Sequence, residues 1–133
     1  MQISLKQTRA FVHHKTRRPE AEELLLNHVR ETGESGVFLL RAKREDEGMY
    51  ALDVAWHDAA SNSAYVTHHL LSRSQTGVYM VDEQVYDRLM SLEDVISYLS
   101  RQRNKALPGP LTTFLPASEE VGDIPVQQVQ SAA

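Results

Sequence analysis

Three cationic side chains follow an apolar run in the first half of the chain. The run Val37–Leu40 continues directly into Arg41, and Lys43 and Arg44 follow at once. A guanidinium that continues a buried strand needs a counter-charge, because burying a lone ion costs a large free energy. That charge comes from a carboxylate of the chain or from an anion brought by a ligand. A fork-shaped cation with two more cations beside it suits a tetrahedral anion such as phosphate.

The chain also contains carboxylates that could neutralise Arg41 internally. Glu20 and Glu22 lie in a predicted helix, and Asp53 lies in the next predicted strand. Two alternatives follow for Arg41: a structural ion pair with one of these groups, or an inward guanidinium that no acidic group of the protein opposes. We expect the second, in which a phosphorylated ligand completes the charge balance.

A helix is predicted before the apolar run. Pro19 is tolerated in a first helical turn, and Thr16 is expected to cap the helix. Arg17 and Arg18 stand where the helix dipole disfavours cations, so either they are solvated or one of them faces an anion that the helix N-terminus also attracts. Apolar residues at helical spacing define its buried face: Ala21, Leu24, Leu25 and Val29.

A meander of strands and a second helix follow. Ser91 is expected to cap that helix, with Asp94 in the capping-box position. Helix, meandering sheet and helix in this order predict an α+β fold, a central antiparallel sheet flanked by two helices. Alternation of apolar residues and turn residues predicts the strands after the apolar run: Tyr50–Trp56, Tyr65–Leu71, 78–81 and 85–86.

Length and composition favour one ordinary folded domain. The chain has 133 residues, a net charge of −4 and no cysteine, which excludes disulfides and thiolate metal sites. We expect a flexible lead-in over 1–10, a folded domain over 11–116 and a disordered tail or linker over 117–133. With no signal peptide evident at Met1 and no apolar run of membrane-spanning length, we expect a cytoplasmic protein.

Catalytic, metal and nucleic-acid functions receive little support. His68 and His69 are adjacent in a predicted strand and so point to opposite faces, which argues against a shared metal site. No nucleophile and base are paired by the sequence pattern, and the cations form one small cluster instead of a stripe. We therefore expect no cofactor, no metal, no catalysis and no nucleic-acid partner.

Taken together, these motifs resemble the Src homology 2 (SH2) domain family, whose members bind phosphotyrosine. The signature Phe-Leu-Val-Arg of the family appears as Phe38-Leu39-Leu40-Arg41, and the family's Gly-x-Tyr-x-Leu-Ser-Val becomes Gly48–Val54 with Asp53 in place of the serine. Further matches lie in register along the chain: Arg18 with Ala21-Glu22 and Leu24-Leu25, Val66–Leu71, Ser91–Ile96, and a kinase-type ending over Leu107–Pro116.

The resemblance implies a phosphotyrosine pocket with assigned roles. Arg41 would lie at its floor and fork onto two phosphate oxygens, and Arg18 would cover the tyrosine ring. His68 would steady the ring or the phosphate loop. Lys43 stands where the family usually has a serine, so this site would depend more on charge, through Lys43 and Arg44, than on neutral donors.

The resemblance also implies a surface that reads the residues after the phosphotyrosine. His69 replaces the usual aromatic residue on that surface. Leu70, also expected there, replaces a lysine that some members use on the phosphate side. Val81 and Asp82 on one side and Leu107 on the other would bound a pocket for a residue about three positions further on. The alternative is that the loops over 82–84 and 107–110 are plain connections.

The function implied is a non-catalytic module, expected as a monomer, that binds phosphotyrosine-containing peptides or proteins in tyrosine-kinase signalling. The ending and the tail favour a place in a longer chain such as a tyrosine kinase or an adaptor. The alternative is a structural or autoinhibitory SH2-like domain that docks within a larger signalling protein and binds phosphopeptides weakly.

Overall fold

A computed structural model describes residues 12–117 and the backbone of Ile124–Pro125. Phe11, the lead-in and most of the expected tail lie outside the described residues. The elements in chain order are α1 (Arg18–Thr32), β1 (Val37–Arg44), a 3-10 turn (Glu45–Glu47), β2 (Met49–Asp58), β3 (Ser63–Arg73), β4 (Tyr79–Val81), α2 (Leu92–Leu99), β5 (Thr113–Phe114) and β6 (Ile124–Pro125).

Among the described residues, one sheet of six strands forms the centre of the domain, in the order β4-β3-β2-β1-β5-β6. Strands β1 to β4 form the antiparallel meander that the sequence predicts. Strand β5 returns beside β1 in the parallel direction, with Val37 opposite Thr113. The α+β prediction is confirmed. The sheet is mixed instead of purely antiparallel, because β5 runs parallel to β1.

The two faces of the sheet form two separate apolar clusters. Val37 and Leu39 point to the face covered by α1, where they pack with Leu25. Phe38 and Leu40 alternate to the other face and belong to a larger cluster with the apolar residues of α2. Because both faces of β1 are covered, its four apolar residues are all 0% exposed. Arg41, the next residue, must then point to the α1 face.

The helix ends differ in how their backbone groups are satisfied. Ser91 caps α2 as expected, accepting a hydrogen bond from the backbone N–H of Asp94. The expectation for Thr16 is wrong: α1 begins after Arg17 without a side-chain cap. The Thr16 hydroxyl is instead 3.0 Å from Nδ1 of His13, whose own backbone bridges to β1 beside Arg41.

At the edges of the domain, one expected strand is absent and the expected domain limits stay a prediction. Residues 85–86 form no strand; the chain makes a tight turn in which Val81 bridges to Gln84. Within the expected tail, Ile124–Pro125 form a two-residue strand against β5. The proposed domain limits therefore remain a prediction.

Neither helix among the described residues has the length and apolar character needed to cross a membrane.

Candidate functional site

The sheet register places Arg41 and Asp53 on the same face, beneath the N-terminal half of α1. Leu39 pairs with Asp53 across β1 and β2, and Arg41 pairs with Ala51, so Arg41 and Asp53 are diagonal neighbours. Asp53 is 0% exposed, because β1 and β3 flank it and α1 lies above. A carboxylate buried there requires a cation close by.

Arg41 supplies that cation. Its Nε donates to Oδ2 of Asp53 at 2.5 Å, and its Nη2 donates to Oδ1 at 3.2 Å. The expectation that no acidic group of the protein opposes Arg41 is therefore wrong, and Asp53 is the partner among the three carboxylates that the sequence offered. The pair is not sealed from solvent, since 13% of the Arg41 side chain is exposed.

His68 lies next to Asp53 on β3 and joins a second carboxylate to the pair. Its Nδ1 is 2.6 Å from Oδ1 of Asp53, and its Nε2 is 2.7 Å from Oε1 of Glu22 on α1. Glu22 also lies 3.6 Å from Nε of Arg18, one helical turn earlier. A continuous chain of polar contacts thus runs from Arg41 on β1 to Arg18 on α1.

A β-bulge separates the two remaining cations of β1. The register shifts between Ala42 and Arg44, which leaves Lys43 opposite no residue of β2. Lys43 is exposed and makes no hydrogen bond or ion pair with another residue of 12–117. Arg44 takes a different course: its Nη1 lies 3.5 Å from Glu47 in the following turn.

An open pocket of about 360 Å³ lies over this network. Its volume falls in the range of small-ligand sites. Of the residues expected to bind the phosphotyrosine, Arg18, Arg41, Lys43 and His68 line it; Arg44 does not. The full lining is Arg18, Arg41, Lys43, Ala51, His68, His69, Leu70 and Asp82.

Of the residues expected to read the ligand sequence, three line this pocket and two are buried elsewhere. His69 points away from His68, and its Nδ1 lies 2.7 Å from Oδ2 of Asp82. Oδ1 of Asp82 accepts a hydrogen bond from the backbone N–H of Leu70, which ties the turn after β4 to β3. Val81 and Leu107 are 0% and 8% exposed and belong to the α2-side core.

The adjacent histidines diverge as the strand period requires. His68 faces the α1 side, and the other ring nitrogen of His69 is 2.8 Å from Oγ1 of Thr67. Thr67 in turn accepts from Nε1 of Trp56. Within the described residues, no set of three or more His, Asp or Glu side chains is arranged to hold a metal ion.

The sequence analysis named Glu22 and Asp53 only as alternative partners of Arg41 and did not place them among the site residues. Asp53 carries a signal that was available: it is a charged residue in the middle of a strand whose neighbours are apolar. Such a group must find a cation, and the adjacent strand provides Arg41. Glu22 carries no comparable signal, because acidic residues are ordinary on an exposed helix surface.

Comparison with known proteins identifies a family to which the chain is similar. A family model described as the SH2 domain matches residues 11–99, about two-thirds of the chain. The match includes α1, β1 to β4 and α2, and therefore every residue that lines the pocket. No match was found among curated proteins.

Proposed function

The chain belongs to the SH2 domain family, and we propose that the pocket beneath α1 is the place where it binds phosphotyrosine. SH2 domains are binding modules for phosphotyrosine-containing peptides in signalling, and this chain is one of them. The assignment of particular residues to the phosphate is our proposal. It is supported by the pocket lining, in which Arg18, Arg41 and Lys43 converge from α1 and β1.

The observation that carries the proposal is the set of donors that Arg41 still has available. A guanidinium has five N–H donors, and Asp53 accepts from one on Nε and one on Nη2. The two Nη1 donors and the second Nη2 donor are not used by another residue of 12–117. These form the end-on fork that binds two oxygens of one phosphate. Arg41 can thus keep its ion pair and still hold a ligand.

The other residues that line the pocket take supporting roles in the proposal. Arg18 has 64% of its side chain exposed at the start of α1, so it is free to fold over an aromatic ring. Lys43 lies on the bulged end of β1 and would contact the outer phosphate oxygens. His68 would stay on the network beneath, where it keeps the wall of the pocket in place.

A second candidate function is favoured by the Arg41–Asp53 pair itself. Because Asp53 already neutralises Arg41, the buried guanidinium is stable without a ligand. This suits a structural or autoinhibitory domain with weak phosphopeptide binding. In that case the domain docks within a larger signalling protein, and its pocket binds phosphopeptides only weakly.

The wider setting is part of the same proposal. We place the domain in a cytoplasmic tyrosine kinase or adaptor, acting as a monomer and without catalysis of its own. The ending over Leu107–Pro116 supports the kinase type, since it resembles the corresponding segment of such proteins.

Selection from an oriented phosphotyrosine peptide library tests the proposal and reads the sequence preference. The immobilised domain is incubated with the library and with the same library lacking phosphate, and the retained peptides are sequenced. We expect retention of phosphorylated peptides only, with enrichment at positions that contact His69, Leu70 and Asp82. Equal retention from both libraries would contradict the phosphotyrosine assignment; weak retention without enrichment would favour the docking alternative.

A further inference from the structure

The candidate pocket contains two carboxylates as well as its cations. Asp53 lies under Arg41 on β2, and Glu22 lies beside Arg18 on α1. A phosphotyrosine side chain carries a charge of roughly −1.5 to −2. It must therefore enter a site in which two negative groups already neutralise much of the positive charge.

His68 fixes the two carboxylates in one network. Both of its ring nitrogens face carboxylate oxygens, at 2.6 Å from Asp53 and 2.7 Å from Glu22. Asp53 and Glu22 thus share one imidazole ring, with one carboxylate at each of its nitrogens. In this arrangement the carboxylates hold Arg41, His68 and Arg18, and Lys43 is the lining cation that they do not engage.

The two carboxylates differ in their freedom to leave. The Glu22 side chain is 40% exposed on a helix surface and can turn towards solvent when a phosphate arrives. Asp53 is 0% exposed on a central strand, where it contacts both Arg41 and His68. No rotation within the packed sheet takes its charge away from the pocket.

We propose that Asp53 acts as an internal counter-anion that limits the affinity of this pocket for phosphotyrosine, with Glu22 adding a weaker effect of the same sign. The inference rests on the proposed function, because it assumes that the phosphate binds at the free end of Arg41. A phosphate at that end would lie across the guanidinium from the Asp53 carboxylate, on the order of 6 Å away if both anions make ordinary hydrogen bonds to Arg41. At an effective dielectric of about 20, repulsion of two unit charges at this distance amounts to roughly a hundredfold in affinity, which solvent in an open pocket reduces.

Replacing Asp53 by neutral residues tests the proposal. Asp53→Asn keeps the size and an acceptor for Arg41, and Asp53→Ser restores the residue of the family motif. Each variant is titrated with a phosphotyrosine peptide and with the same peptide carrying sulfotyrosine, which bears one negative charge. We expect about a tenfold or larger gain for phosphotyrosine and about a threefold gain for sulfotyrosine, because the repulsion scales with ligand charge.

The charge scaling separates this role from a merely structural one. A variant that only loosens or repacks the pocket changes both affinities by the same factor, and that result overturns the proposal. An unchanged or lower phosphotyrosine affinity in both Asp53 variants overturns it as well. Glu22→Gln, a change on a helix surface, provides a second test if the strand variants fold poorly: we expect a twofold to threefold gain, and no gain contradicts the proposal.

The outcomes also distinguish this inference from the proposed function. If the wild-type protein binds the phosphopeptide through Arg41 and the Asp53 and Glu22 variants bind no better, only the inference fails. If neither wild type nor variants bind, both fail. If the wild type binds too weakly to measure and Asp53→Asn binds well, the inference holds and explains the weakness.

Discussion

Arg41 donates from Nε and Nη2 to the two carboxylate oxygens of Asp53, at 2.5 and 3.2 Å. The contact is side-on, so the far end of the guanidinium remains directed at the pocket that Arg41 lines. This pair anchors the cation to β2, the neighbouring strand of the sheet. It also places a fixed negative charge behind the position proposed for the phosphate.

The first prediction concerns Arg41. Arg41→Lys keeps a positive charge against Asp53 but removes the fork, so we expect a loss of about 2 kcal/mol or more in phosphopeptide binding with little change in the melting temperature. Arg41→Ala leaves the buried Asp53 without this partner and should destabilise the fold by about 3–5 kcal/mol. Calorimetric titration and thermal unfolding measure the two effects. Wild-type affinity in a folded Arg41→Lys protein would count against the assigned role.

The second prediction concerns the exposed end of β1. Lys43 lines the pocket and is solvated, so Lys43→Ala should weaken binding by about twofold to fivefold and make it less sensitive to salt. Arg44→Ala is the matched control, because Arg44 contacts Glu47 and does not line the pocket. Titrations at low and high salt compare the two. If Arg44→Ala weakens phosphopeptide binding as much as Lys43→Ala, the proposed contact of Lys43 with the phosphate is wrong.

The third prediction concerns the entry to β1. Gly36 has φ +86°, and a Cβ there would stand 2.2 Å from the carbonyl oxygen of Pro110. We expect Gly36→Ala to lower the free energy of unfolding by about 3 kcal/mol, through backbone strain and this overlap. Gly33→Ala is the control: its φ is +72° but nothing lies within 4 Å, so only about 1 kcal/mol of strain is expected. Equal losses in denaturant unfolding would refute the steric part.

The elements of the fold that carry strong local patterns could be predicted from the sequence. The run Val37–Leu40 gave a strand buried on both faces, and Ser91 gave the start of α2 through its capping hydrogen bond. The divergence of His68 and His69 followed from the period of a strand alone. The helix cap predicted at Thr16 does not form, because the Thr16 hydroxyl contacts the ring of His13 instead.

The charge arrangement of the site could not be predicted in the same way. Which carboxylate meets Arg41 depends on the register of β1 against β2, and a shift of one residue would turn Asp53 to the opposite face. The bulge at Lys43 likewise depends on pairing between strands, and it sends Lys43 and Arg44 to different places. The charged Asp53 within an apolar strand signals that it needs a cation, but residue spacing alone does not fix the register or the bulge.

The most direct test of the account is titration of the domain with three peptides of one sequence that carry phosphotyrosine, tyrosine or phosphoserine at the same position. Arg41 lines the pocket with only 13% of its side chain exposed, so we expect that a phosphate must be carried on a long side chain to reach it. We predict saturable binding of the phosphotyrosine peptide alone, lost in Arg41→Lys. Equal binding of all three peptides, or phosphotyrosine binding that Arg41→Lys leaves intact, would contradict the account.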